Sequence, residues 1–204
     1  MIITFVTLRH ALYLTNINGD HAKSAAHLAQ NGIDIYASAG TLSALNFTSH
    51  RTNVLQSKKV AQIGEFDVLG FDTQHDAKEP MGFLIQNRIT KTKICFITDS
   101  YYCRYNFKGV TAYLVEANYS ESILQANIDS GRILPSMADR TRRSHFEINR
   151  VVDFLKASDL TRTKKVILMH MSSGNSNARG FTELVQSKTG IECLEAVPGL
   201  EIKI

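Results

Sequence analysis

Thr15-Asn16-Ile17-Asn18-Gly19-Asp20-His21 follows directly on the apolar run Leu12 to Leu14 and decides how the rest of the chain is read. An apolar run this short, bounded by polar turn residues, predicts a strand. The residues after it predict a helix over about Asp20 to Gln30. Asp20 is a good N-cap, Ala22, Ala25, Ala26 and Ala29 mark one face, and Asn31-Gly32 supplies the stop. Asp and His thus stand where a strand gives way to a helix, and the pattern recurs. The run Val68 to Phe71 empties into Asp72-Thr73-Gln74-His75-Asp76-Ala77, Ile94 to Thr98 ends on Asp99, and Val166 to Met169 ends on His170. Four strands deliver Asp or His to the strand-to-loop edge, where sites on layered α/β folds gather.

Taken singly, each residue has a structural reading. Asp20 can be only a helix cap, Asp99 can cap a turn, and a lone His75, His145 or His170 can be a hydrogen-bonded histidine of surface or core. The combination points further, because borderline metals such as zinc are held by imidazole and carboxylate groups collected from separate elements.

Further strands are expected at Gly82 to Ile85 and Ala112 to Val115, with a last one near Ile191 to Ala196. Helices are expected from Ser120 to before Gly131, and over Phe181, Leu184 and Val185 to Gly190. Another carries Ile148, Val151, Val152 and Leu155 on one stripe, and Ser144 and Glu147 have the spacing of a capping box at its start. Strands and helices mixed along one chain predict sheets covered by helices.

Composition narrows the class. At 204 residues the chain suits a single domain over 1–204, and 44% hydrophobic with 21% charged residues suits a folded globular protein. No apolar run approaches the ~20 residues needed to cross a bilayer, so no membrane partner is expected. The opening MIITFV lacks the features of a secretory signal. Three cysteines, Cys95, Cys103 and Cys193, show no metal-ligand spacing and read as packed thiols of a cytoplasmic protein. A net charge of +4 tolerates an anionic substrate without demanding a nucleic acid.

Several segments together resemble the metallo-β-lactamase superfamily. Thr15 to His21 resembles its T-H-x-H-x-D-H signature with both leading histidines replaced by asparagine. His75-Asp76-Ala77-Lys78-Glu79-Pro80-Met81-Gly82-Phe83 resembles the H-D-A-x-E-P-x-G-F segment of one branch, and Thr98-Asp99 the strand end of the bridging aspartate. His170-Met171-Ser172 through Asn175-Ser176 resembles its H-L-S-x-x-N-S motif. Val115-Glu116-Ala117-Asn118 and Ser144-His145 fall in their expected order. The branch comprises small phage and bacterial proteins, among them the anti-Pycsar cyclic-nucleotide phosphodiesterases and related exonuclease-like proteins.

This resemblance implies an αββα sandwich, here with its N-terminal strands truncated. Only Ile2 to Thr7 reads as a strand before the motif strand, so either the first sheet is incomplete or a second chain covers its edge, and the resemblance favours a homodimer. It implies a first metal site at Asn16, Asn18 and His75, a second at Asp20, His21 and His170, and Asp99 bridging both. An amide oxygen is a far poorer zinc ligand than an imidazole, so the first site is weakened, and one or two zinc ions, or manganese or magnesium, are expected. The implied activity is hydrolysis of a phosphodiester, either a small cyclic nucleotide or an oligonucleotide, in the cytoplasm (the host's, if the chain is phage-encoded). An intact two-metal centre generates a nucleophile from water and clamps phosphate oxygens. His145 and Asp20 would be its catalytic residues, with Arg142, Arg143 and Asn175 on the substrate. Arg140, Arg142 and Arg143 also read simply as a solvated basic segment. The rival function is an inactive ligand-binding or remnant protein of the same fold.

Overall fold

The computed structural model describes residues 5–8, 11–16, 24–45 and 48–204. Two sheets organise them. The first has four strands in spatial order β1 (Phe5–Leu8), β2 (Ala11–Leu14), β3 (Asp34–Ala37) and β4 (Thr52–Val54). Strand β1 pairs antiparallel with β2, while β2, β3 and β4 are parallel. The second sheet has seven strands. From one edge they run β5 (Val60–Ile63), β6 (Phe66–Asp72), β7 (Met81–Asn87), β8 (Lys93–Ile97), β9 (Ala112–Glu116), β10 (Lys165–Met169) and β11 (Glu192–Glu195). Its first four strands pair antiparallel and its last four are parallel.

The pleat sends alternate side chains to opposite faces, and this assembles the layers. Tyr13 of β2 joins Val68, Phe83, Ile85, Phe96 and Met169 in a cluster between the sheets. Leu12 and Leu14 of the same strand face the other way, packing with Ile35, Ala37 and with Ala25 and Ala29 of helix α1 (Ala25–Gln30). A short α2 (Ala39–Ala44) follows β3. On the far side of the large sheet, Cys95, Ile97, Tyr113, Val115, Val166 and Leu168 form the largest cluster. Its helical half comes from α5 (Ile148–Ala157) and α6 (Ala178–Thr189), through Val151, Phe154, Leu155, Phe181 and Val185. The order helix, sheet, sheet, helix is the αββα sandwich expected from the motifs. No helix among the described residues is long and apolar enough to cross a membrane.

Local sequence explains most boundaries. Helix α3 (Glu121–Asp129) starts where expected, with the Ser120 hydroxyl accepting from the Ile123 N–H. Helix α6 stops at Gly190, whose φ of 72° suits a residue without a Cβ. The strand expected over Ile2 to Thr7 is described from residue 5 onward and runs as Phe5–Leu8. The described part of the first helix has Ser24 at its N-cap, and Asp20 lies outside the described residues.

One expectation is corrected. Ser144 and Glu147 do not form a capping box, because Ser144 is the last residue of a separate helix, α4 (Pro135–Ser144). Glu147 is itself the N-cap of α5, its carboxylate accepting from the N–H groups of Asn149 at 2.8 Å and Arg150 at 3.2 Å. His145 therefore sits in the link between two helices rather than in a helical first turn. Helix α4 escaped the sequence reading because it is polar almost all round. Only Ala138 and Ser144 are buried, so no apolar period marks it. Strands β3, β4 and β5 likewise leave no clear signal in the sequence. They are three or four residues long and half-exposed, too short for alternation to register.

Candidate metal centre

Strand direction makes the site. Strands β6 and β8 both run antiparallel to β7, while β8, β9 and β10 are mutually parallel. The C-terminal ends of β6, β8, β9 and β10 therefore share one edge. His75 lies just beyond β6, Asp99 just beyond β8, Glu116 ends β9, and His170 follows β10 directly. The first sheet joins at the same place. The Met81 N–H, which opens β7, donates to the Thr15 carbonyl at 2.8 Å, and Asn16 comes next. Asp99 and His170 both take left-handed backbone angles, φ 50° and 53°. That conformation is unfavourable for residues with a side chain, and such strain collects at functional sites.

Asp99, Glu116, His145 and His170 offer ligand atoms that all lie within 4.8 Å of one another. Glu116 Oε1 is 2.6 Å from His145 Nδ1 and 2.7 Å from His170 Nδ1. Asp99 Oδ1 is 3.1 Å from His170 Nδ1, and Asp99 Oδ2 accepts from the Asn16 amide at 2.6 Å. His75 stands beside this group. Its ring centroid is 5.6 Å from that of His145, and its Nδ1 is 3.0 Å from the Ser144 carbonyl. Asn118 braces the His170 loop by donating to the His170 carbonyl at 2.9 Å and accepting from the Ser172 N–H at 3.0 Å.

Both carboxylates are fully buried. Burial works to raise the Glu116 pKa, but the hydrogen bonds and positive charge of His145 and His170 outweigh it and hold the carboxyl below its ordinary range. Burial likewise works to lower the His145 pKa, and Glu116 and then Asp99 outweigh it, so the imidazole titrates above its ordinary value. Two acidic groups in one buried pocket need compensating positive charge. Carboxylate and imidazole together form a donor set suited to a divalent cation.

The structure thus brings together Asn16, Asp99, His145 and His170, with His75 alongside. Asn18, Asp20 and His21 lie outside the described residues. The side chain of Arg142 is engaged by Glu121 and by Asp139, the latter at 3.0 Å, while Arg143 Nε donates to the Asp139 carbonyl at 3.2 Å. Asn175 lies outside the cluster of four, its side-chain oxygen accepting from Asn127 at 2.9 Å. Sequence reasoning gave Glu116 no role in the site. The available signal was an acid closing an apolar strand between Val115 and Ala117, both fully buried.

Two stacked sheets flanked by helices, with acid and imidazole groups at one edge of strand C-termini, place the chain in the metallo-β-lactamase fold. Comparison with known proteins agrees. The metallo-β-lactamase fold protein YhfI from Bacillus subtilis superposes with a TM-score of 0.70 at 14% identity, over 93% of this chain and 76% of that one. Igni18, a metallo hydrolase from Ignicoccus hospitalis, gives 0.69 at 14% identity, over 95% and 80%. In sequence the chain is 26% identical over 177 residues to the exodeoxyribonuclease YycJ of Bacillus anthracis, covering 81% of this chain. It spans 65% of that relative's length. No family model matches the sequence.

Proposed function

We propose that this chain is a metal-dependent phosphodiesterase that works with one tightly held divalent ion. The observation that carries the proposal is the convergence of Asp99, Glu116, His145 and His170 within 4.8 Å at an edge built from separate strands. The relative's name, an exodeoxyribonuclease, supports a phosphodiester as the bond attacked.

In this reading Asp99 and His170 hold the ion, together with Asp20 and His21, which the motif resemblance assigns to the same site. A bound divalent cation supplies an activated water near neutral pH and positive charge for the phosphate oxygens. Glu116 accepts the Nδ1 proton of both His145 and His170, which fixes each ring's tautomer and leaves Nε2 as the working nitrogen. On His145, protonated Nε2 can hold the phosphate or give its proton to the leaving oxygen. Asn16 donates its amide N–H to Asp99, and an amide is a far poorer zinc ligand than the imidazole of the motif, which supports a single ion. Zinc suits this donor set, and manganese or magnesium tolerates the asparagines better. Arg143 and Asn175 remain the substrate contacts of this proposal. Arg142 is less available, since Glu121 and Asp139 hold it. A cytoplasmic homodimer acting on a cyclic nucleotide or an oligonucleotide completes the reading.

Elemental analysis beside hydrolysis of a chromogenic phosphodiester tests it. The expected result is about one divalent ion per chain, with turnover lost in Asp99→Ala and His170→Ala. Two zinc ions per wild-type chain would overturn the single-ion reading, and full turnover after complete chelation would overturn metal dependence. Asn16 also favours a second reading, a binding module. A chain that holds metal and diester without cleaving would establish that one.

A further inference from the structure

We infer that the cavity lined by Tyr101, Tyr102, Arg104 and Arg150 is a nucleotide subsite that receives a single-stranded nucleic acid presented to the neighbouring centre. The inference rests on the phosphodiesterase reading above and names its substrate class. The cavity measures about 480 Å³ and is completed chiefly by Asp153 and Phe154. That is within the usual range of small-ligand sites, ~300–1,000 Å³.

Its position ties it to the centre. The chain leaves β8 through Asp99 and Ser100 and passes directly into Tyr101 and Tyr102. The Ser100 hydroxyl donates to the Tyr102 carbonyl at 2.7 Å, and the Tyr101 N–H donates at 3.1 Å to the carbonyl of Gln74, next to His75. One wall therefore continues the loop that carries Asp99 and is hydrogen-bonded to the loop that carries His75. The other wall is α5, whose first turn follows His145 by a few residues and supplies Arg150.

The chemistry of the lining is that of a polyanion with flat bases. Tyr102 is 54% exposed, so its ring face is open to a ligand in the cavity. Arg104 and Arg150 are exposed, and among the described residues neither forms an ion pair. Most of the other described arginines are held by acids, as Arg51 is by Asp34 and Arg142 by Glu121. Asp153 offsets one of the two positive charges, so charge alone does not account for the cavity. Rings that stack on bases beside guanidinium groups that meet phosphates are what sequence-tolerant single-strand binding uses.

The test measures binding apart from cutting. The metal-loaded protein is titrated into a fluorescein-labelled phosphorothioate oligothymidylate and followed by anisotropy. Tyr102→Ala is expected to weaken binding at least about fivefold, while Tyr102→Phe retains it, because stacking needs the ring and not the hydroxyl. Arg104→Ala with Arg150→Ala is expected to weaken binding by a similar factor or more and to flatten its salt dependence. The variants at all three positions should melt with the wild type, since the exposed side chains carry little of the fold. Unchanged affinity in these variants overturns the subsite. So does equal loss in Tyr102→Phe and Tyr102→Ala, or an acidic peptide of matched charge that binds as tightly as the oligonucleotide. Wild-type hydrolysis of a small chromogenic diester is followed in parallel. Ring-dependent oligonucleotide binding without that hydrolysis keeps the subsite and removes the phosphodiesterase reading. Hydrolysis with unchanged variant affinities does the reverse.

Discussion

At the scale of single residues, the centre turns on Glu116 and Asn16. Glu116 is buried with its Oε1 shared between two imidazoles. If it acts by orienting them, Glu116→Gln keeps an acceptor oxygen and part of the function, whereas Glu116→Ala leaves both rings without their anchor. Removing such an orienting carboxylate typically lowers metal affinity by ~10–100-fold. We expect that loss in Glu116→Ala and a smaller one in Glu116→Gln, read by competitive metal titration. Equal, complete loss of metal in both would make Glu116 a direct ligand. Asn16 donates to Asp99 where the motif places an imidazole. Restoring Asn16→His and Asn18→His together should raise the zinc content from about one ion toward two and increase diester turnover. Each single restoration should do much less, because a tetrahedral site needs its full set of ligands. Metal analysis of the four variants checks this, and no gain in the double variant would sink the account of the asparagines.

At the scale of elements, the corrected helix boundary has a measurable consequence. Glu147, not Ser144, caps α5. Glu147→Ala should therefore destabilise the fold by about 0.5–2 kcal/mol in denaturant titration, the range for a lost N-cap. Ser144→Ala should cost less, since no capping bond depends on its hydroxyl. If Ser144→Ala proves the costlier change, the capping box returns. A second test lies in β7. A Cβ added at Gly82 would stand 2.6 Å from the Phe71 ring and 3.0 Å from the Phe96 carbonyl, inside any normal contact. Gly82→Ala should cost about 1–3 kcal/mol as overpacking between neighbouring strands. A neutral effect would mean that Phe71 moves aside freely. Both changes reach the centre indirectly, because α5 follows His145 and β7 starts at the hydrogen bond that joins the two sheets.

At the scale of the whole molecule, the two sheets and their helices converge on a buried patch of negative charge. The core clusters secure the layers, but at the edge Asp99 and Glu116 are packed together out of water. A cation bound only by the folded chain stabilises it by mass action, about 2.7 kcal/mol at a hundredfold excess over its dissociation constant. Chelation is therefore expected to lower the melting temperature, and adding back the native metal to restore it. A melting temperature indifferent to chelator and metal would mean that the imidazoles alone balance the two carboxylates.

The strands that carry the candidate site are legible in local sequence. The runs ending near Leu14, Phe71, Thr98 and Met169 each combine a short apolar stretch with a polar stop, and both signals are local. The polar residues of the candidate site are legible in the same way, since Asn16, His75, Asp99 and His170 stand within a few residues of those run ends. The remaining features depend on contacts distant along the chain. Helix α4 is polar on nearly every face and is set by its contacts with α3 and the Asp139 and Glu121 pairs of Arg142, none of which leaves an apolar period. Glu116 becomes part of the centre only because β9 lies between β8 and β10 in the sheet. That order brings one carboxylate against imidazoles 29 and 54 residues away along the chain. Spacing in a sequence encodes neighbours along one strand or helix, whereas which strand lies beside which is settled by burying both faces of the sheet at once.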